Sequence, residues 1–212
     1  MMERIPRTLT RPIWIAVYAG ILSLGVTTLQ GIVRDGYDGW HQAVSALSLG
    51  PRGWIQMINL VVLGVVILTT VGPWRRLLAG GRGGTAYPLL TALTGVGFII
   101  VGLVPQDPAP GYDPAGLALK APTVHGLVHL AVAGVAALST VIGFVVMASR
   151  FAGDPAQKHW PLYSYLAAAT MVVCITVYGV WSVKPTGFAG TFERAAMIIP
   201  MIWTYAFLRH IE

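Results

Sequence analysis

Charge is what this sequence has least of. Asp, Glu, Lys and Arg make up 10% of its 212 residues, whereas a soluble domain carries about 25%. With 55% hydrophobic residues, so few ionised groups cannot cover a water-facing surface, which excludes an ordinary soluble domain. Cysteine is limited to Cys174, so no internal disulfide, Cys-based metal site or thioredoxin-like motif can form. Inside its apolar run that cysteine reads as a small packing residue. No Asp, Glu, Lys, Arg or His lies near the middle of a long apolar run, and proton pumps and voltage sensors need ionisable groups at that depth. The net charge of +6 comes without a Lys/Arg run interleaved with aromatics, which argues against nucleic acid as a partner.

What the chain has instead is long apolar runs. A bilayer span takes about 20 residues, and six stretches qualify: 12–33, 54–71, 87–104, 124–147, 161–180 and 192–208. They predict an all-α, polytopic helical bundle forming a single transmembrane domain over 1–212. The first run ends in Gln30 and Arg34 with no small-x-small cleavage site, so it reads as a retained helix. Gln56 and Asn59 are the deepest polar groups and read as interhelical hydrogen-bond partners. The spans are rich in glycine, including Gly64, Gly95, Gly97 and Gly102, which lets helices approach closely.

Basic residues set the orientation. Nine flank one side (Arg4, Arg7, Arg11, Arg75, Arg76, Arg82, Arg150, Lys158 and Arg209), and five flank the other (Arg34, Arg52, Lys120, Lys184 and Arg194). The richer side is expected in the cytoplasm, with both termini there and the protein multi-pass in the plasma membrane. The basic, glycine-rich link 72–86 reads as a flexible inner loop. On the outer side, Asp38–Leu49 reads as a short amphipathic helix with Asp38 as its N-cap and Gly50 as its stop. Trp40, Val44 and Leu47 form an apolar stripe on it, and Asp38, His41, Ser45 and Ser48 a solvated polar one. The Pro-, Gly- and Asp-rich segment 105–123 reads as a structured loop or lid.

The ionisable groups gather at this outer face. His125 and His129 are four apart at the start of a helix and point to one side. With Asp107 they are candidate zinc ligands, and an open fourth position on the metal would activate water. Without metal the same groups serve as a general base and its orienting partner, or as plain hydrogen-bonding anchors. Arg194, beside Glu193, is expected either in an internal ion pair or on a lipid phosphate. Three functions follow. The leading one is a pocket for a lipid or small amphiphile, with Asp38, His41, Ser45, Asp107, His125 and Arg194 at its polar mouth. The second is a metal-dependent lipid hydrolase at the same face. The third is a small transporter or an accessory subunit, paired with a second copy or another membrane protein. Membrane lipids are the expected partners in the first two.

Four motifs carry a family likeness. They are Val44-Ser45-Ala46-Leu47-Ser48-Leu49-Gly50 with Asn59 and Gly64 after it, Val101-Gly102-Leu103-Val104-Pro105-Gln106-Asp107-Pro108, His125-Gly126-Leu127-Val128-His129, and Gly190-Thr191-Phe192-Glu193-Arg194 with Trp203 beyond. In order and spacing, from about Trp14 to Leu208, the chain resembles the DUF998 family of bacterial and archaeal membrane proteins. The resemblance implies about six helices and no particular activity. Ala46 stands where members often carry an acidic residue. A looser likeness to membrane zinc hydrolases of the ceramidase type is one of fold level, and this chain lacks their second His pair.

Overall fold

Five of the apolar runs become helices long and apolar enough to cross a bilayer in the computed structural model, which describes residues 6–117, 119 and 121–212. The helices are α1 (Arg7–Ile32), α2 (Gly53–Thr69), α3 (Val71–Leu77), α4 (Ala86–Leu103), α5 (Val124–Phe151), α6 (Trp160–Trp181) and α7 (Ala189–Ile211). α2 and α3 together make one span, Gly53–Leu77. The 23-residue α7 carries Glu193, Arg194 and Arg209 and is not among the five. Among the described residues there is no strand, only a single bridge between Ala109 and Tyr112. Glu3, Arg4 and Lys120, which enter the charge asymmetry, lie outside the described residues.

Two expectations need correction. The link 72–86 begins as helix rather than flexible loop, because Trp74 and Leu78 on and after α3 are buried in the core. The helix expected over Asp38–Leu49 shrinks to a 3-10 turn, Val44–Ser48. Its polar stripe is inverted: Ser45 and Ser48 are buried, and Trp40 is 67% exposed. The carbonyls of Gly39, Trp40 and His41 are taken up by α7 instead of continuing the turn upstream.

The long helices close into a ring in chain order, each packed on its neighbours: α1, α2, α4, α5, α6, α7 and back to α1. The α1–α7 seam is the least extensive of the six. Burial runs opposite to a soluble protein, with Thr27, Gln56, Ser139 and Ser164 inside and Leu22, Leu29, Leu130 and Leu166 outside. Polar groups kept from lipid must bond each other. Thus Gln30 Nε2 donates to Gln56 Oε1 (2.7 Å), as do the Asn59 amide (3.2 Å) and the Thr27 hydroxyl (3.3 Å), tying α1 to α2. The interhelical role expected of Gln56 and Asn59 is what the structure has.

One end of the ring is plugged by aromatic rings. Trp203 is 1% exposed, lies parallel to Phe207 with centroids 5.4 Å apart, and donates through Nε1 to Ser164 Oγ at 3.0 Å. Trp74, Phe144 and Phe151 complete the cluster. The first half of α1 and the end of α7 meet at this end, where Trp14 Nε1 donates to Glu212 Oε1 at 2.9 Å. The tightest helix crossing is α2 on α4, where a Cβ at Gly64 would stand 2.5 Å from the Gly95 carbonyl oxygen and 2.8 Å from Ile99. Gly64→Val should therefore force these backbones apart and destabilise the bundle by about 1–3 kcal/mol. A lowered thermal unfolding midpoint of the purified variant in detergent checks this, and an unchanged midpoint contradicts it.

Candidate functional site

The other end of the ring is closed by residues 33–52, and the turn Val44–Ser48 is its centre. Gln42 to Leu49 are buried without a break. A short helical turn leaves backbone N–H groups open at its start and carbonyls open at its end, and here two charged side chains meet them. Glu193 Oε2 accepts from the Val44 N–H at 2.5 Å, and Ser45 bonds the same carboxylate through both its N–H and its hydroxyl. At the far end the Arg34 guanidinium donates to the carbonyls of Leu47 (2.9 Å), Leu49 (2.8 Å) and Arg52 (2.8 Å). A carboxyl acceptor at the start and a positive group at the end both suit the dipole of the turn.

Arg194 holds the preceding residues. Its guanidinium donates to the carbonyls of Gly39 (2.6 Å) and Gly190 (3.0 Å) and to the Tyr37 hydroxyl (2.8 Å). Tyr37 in turn donates to Ala43 O at 3.0 Å. Burial pushes the Tyr37 phenol up to about 12, against the opposing pull of Arg194, so it keeps the proton it donates. The carbonyls of His41 and Trp40 accept from the Gly190 and Thr191 N–H groups, satisfying the open start of α7. Gly190 is required there, because a Cβ would run into the carbonyls of Gly39 and Gln42. Tyr112, from the segment 105–123, packs edge-on against Tyr37 at 5.3 Å and joins the same buried cluster. Tyr112 thus joins residues 33–52 in one lid.

Beneath the lid lies a cavity of about 280 Å³ within the ring. It runs from Val44, Ser45 and Glu193 at the lid to Trp74, Tyr87 and Phe144 above the aromatic plug. Its wall is otherwise apolar side chains and scattered threonines. Pro200 sits on the wall midway along α7 and removes the backbone donor that would reach the Ala196 carbonyl. Among the described residues, Glu193 is the one Asp, Glu, Lys, Arg or His lining the cavity.

The expected site residues separate. Ser45 lines the cavity. Arg194 is in the lid but spends its donors on carbonyls and Tyr37. Neither an ion pair with Glu193 nor any other pair besides Asp38–His41 forms among the described residues. Asp38 and His41 sit on the lid's outer surface, Asp38 Oδ2 to His41 Nδ1 at 2.8 Å. The Trp40 backbone N–H, and His41 after it, hold the Asp38 carboxyl below the usual carboxylate range. Asp107 and His129 staple the α4–α5 corner. Asp107 accepts from Thr123 N (2.8 Å) and Thr123 Oγ1 (2.6 Å), and Thr123 caps α5 through the Gly126 N–H. His129 is buried with Nδ1 2.6 Å from Val104 O, while His125 is exposed. Among the described residues, no three His, Cys, Asp or Glu side chains come together as a metal site, so Asp107, His125 and His129 do not converge on one.

Glu193, Arg34 and Tyr37 are the site residues that the sequence pattern did not single out for a pocket. The one signal for Glu193 was the Gly-x-x-(Gln/Glu)-Arg motif. Compared with known proteins, the chain matches a family model described as "Protein of unknown function (DUF998)" over residues 17–210. No curated protein and no solved structure matches it.

The clamp predicts its own disruption. Arg34→Ala removes a charged donor from three carbonyls, and hydrogen bonds to charged groups are worth about 1.5–3 kcal/mol each. Amide hydrogen exchange over 44–53 should rise well above that of α5 and α6, and exchange rising equally everywhere would contradict a local clamp.

Proposed function

Since the chain belongs to the DUF998 family, whose description names no activity, we propose its role from the site: a membrane protein that holds a lipid chain or small amphiphile in the cavity under its lid. The observation that carries this reading is the cavity itself, bounded by aromatic rings at one end and by a hydrogen-bonded polar lid at the other. An unfilled apolar void inside a bundle loses packing contacts for every side chain that lines it. A ligand restores them. The volume is just under the range of about 300–1,000 Å³ that drug-sized ligands occupy, which suits one chain rather than a whole two-chain lipid.

Orientation extends the same reading. α7 is the sixth span, its Glu193 and Arg194 held in the lid rather than set in lipid, and an even number of spans returns both termini to one side. That side is the cytoplasm, where the basic flanks lie, and the lid faces outward from the plasma membrane. The bond from Trp14 to Glu212 is in keeping with termini on one side.

Two measurements test these statements. Mass spectrometry of extracts from the purified protein should find an amphiphile at about one per chain, by the one-site reading of the cavity. Ala196→Phe, which fills the lumen, should lose it while keeping the unfolding midpoint. Equal retention by the variant would sink the pocket reading. Separately, a cysteine placed at Gly80 in a Cys174→Ser background should resist impermeant thiol reagents in intact cells, and one at Gly116 should react; the reverse pattern inverts the topology.

A further inference from the structure

The lining of the cavity says more than that it is apolar. Its charged groups reduce to one carboxylate, Glu193, at the lid end, with Ser45 beside it. Arg194 adjoins it in sequence, but all three of its recorded bonds go to Gly39, Gly190 and Tyr37. The carboxylate has no ion-pair partner within 4.0 Å among the described residues. Its bonds come from Val44 and Ser45, and a carboxylate offers about four lone-pair sites. An acceptor position is therefore left for whatever lies in the cavity. No cation lines the lumen, Arg194 acting on Glu193 only from behind the wall, so the open position of the carboxylate is best matched by a donor carrying positive charge.

Resting on the pocket reading, we infer that the cavity selects an amphiphile with a protonated amine head, seated against Glu193, and a single hydrocarbon chain directed toward Trp74 and Phe144. The lining of α7 runs from Glu193 to Thr204, which spans about 16 Å at a helical rise of about 1.5 Å per residue. This length fits one extended chain below the head. Fatty acids and phosphate-headed lipids are rejected by the same carboxylate. Ser45, which already donates its hydroxyl to Glu193, offers its own oxygen as a second acceptor to the ammonium group.

The test is a competition on the purified full-length chain, read by native mass spectrometry from micelles. The probes are dodecylamine, dodecanol and dodecanoic acid at equal concentration. The unaltered protein should carry the amine over the acid by about tenfold or more, the factor that one charge-assisted hydrogen bond supplies. Glu193→Gln should bring amine and acid close to parity, and Glu193→Asp, which keeps the charge, should retain the preference. If Glu193→Gln fails to fold, the selectivity of the unaltered protein decides alone: no preference, or a preference for the acid, overturns the inference. Binding of all three probes without selectivity, abolished by Ala196→Phe, would leave the pocket standing and remove the amine. Binding that Ala196→Phe does not alter would remove both.

Discussion

A carboxylate on the last helix and a guanidinium after the first grip the two ends of one five-residue turn, and the closed end of the molecule depends on that grip. Glu193 supplies acceptors where the turn has open N–H groups, and Arg34 supplies donors where it has open carbonyls. Neither group is placed for an ion pair with the other; each is matched to backbone. Because the turn lies in a run of buried residues, water is not there to substitute. Losing either side chain strands polar backbone in a dry setting, which is costlier than losing the bond alone. The lid, the start of α7 and the head of the cavity thus share one electrostatic framework.

The rest of the ring obeys the solvent it sits in. Lipid is as apolar as leucine, so large aliphatic side chains gain nothing by turning inward and are left on the perimeter. Small and hydroxylated residues take the helix contacts instead, as at Gly64, Ser139 and Ser164. The aromatic end is the exception, filled by Trp203 and its ring neighbours. Their bulk closes the lumen where the polar lid cannot reach, and the Trp203 indole finds its acceptor in Ser164.

Much of the fold was legible in the sequence because a span is read from a run of apolar residues, and such a run needs no knowledge of partners. Five helices lie within a few residues of the runs that announce them, and Gln56 and Asn59 form the bonds their depth suggested. Residues 38–49 misled for the opposite reason. Their polar and apolar residues do recur at helical spacing, but His41 and Trp40 give their carbonyls to α7, and a periodicity argument does not see across 150 residues of chain. Glu193 was obscured by its neighbour: an adjacent Arg suggests a local pair, whereas successive helix positions point in different directions and the two side chains part. Asp107 and His129, read as candidate metal ligands, have their atoms turned toward Thr123 and Val104 instead.

The chain-order ring also has a bearing on biogenesis. Each helix leaves the ribosome next to the one it will pack on, so most of the assembly can proceed as insertion does. Only α1 must wait, one flank unmatched, until α7 is made. Glu193 and Arg194 arrive with it. α7 is therefore both the closing stave of the barrel and the clasp of its cover, and a nascent chain halted before it would present the cell with an open trough rather than a vessel.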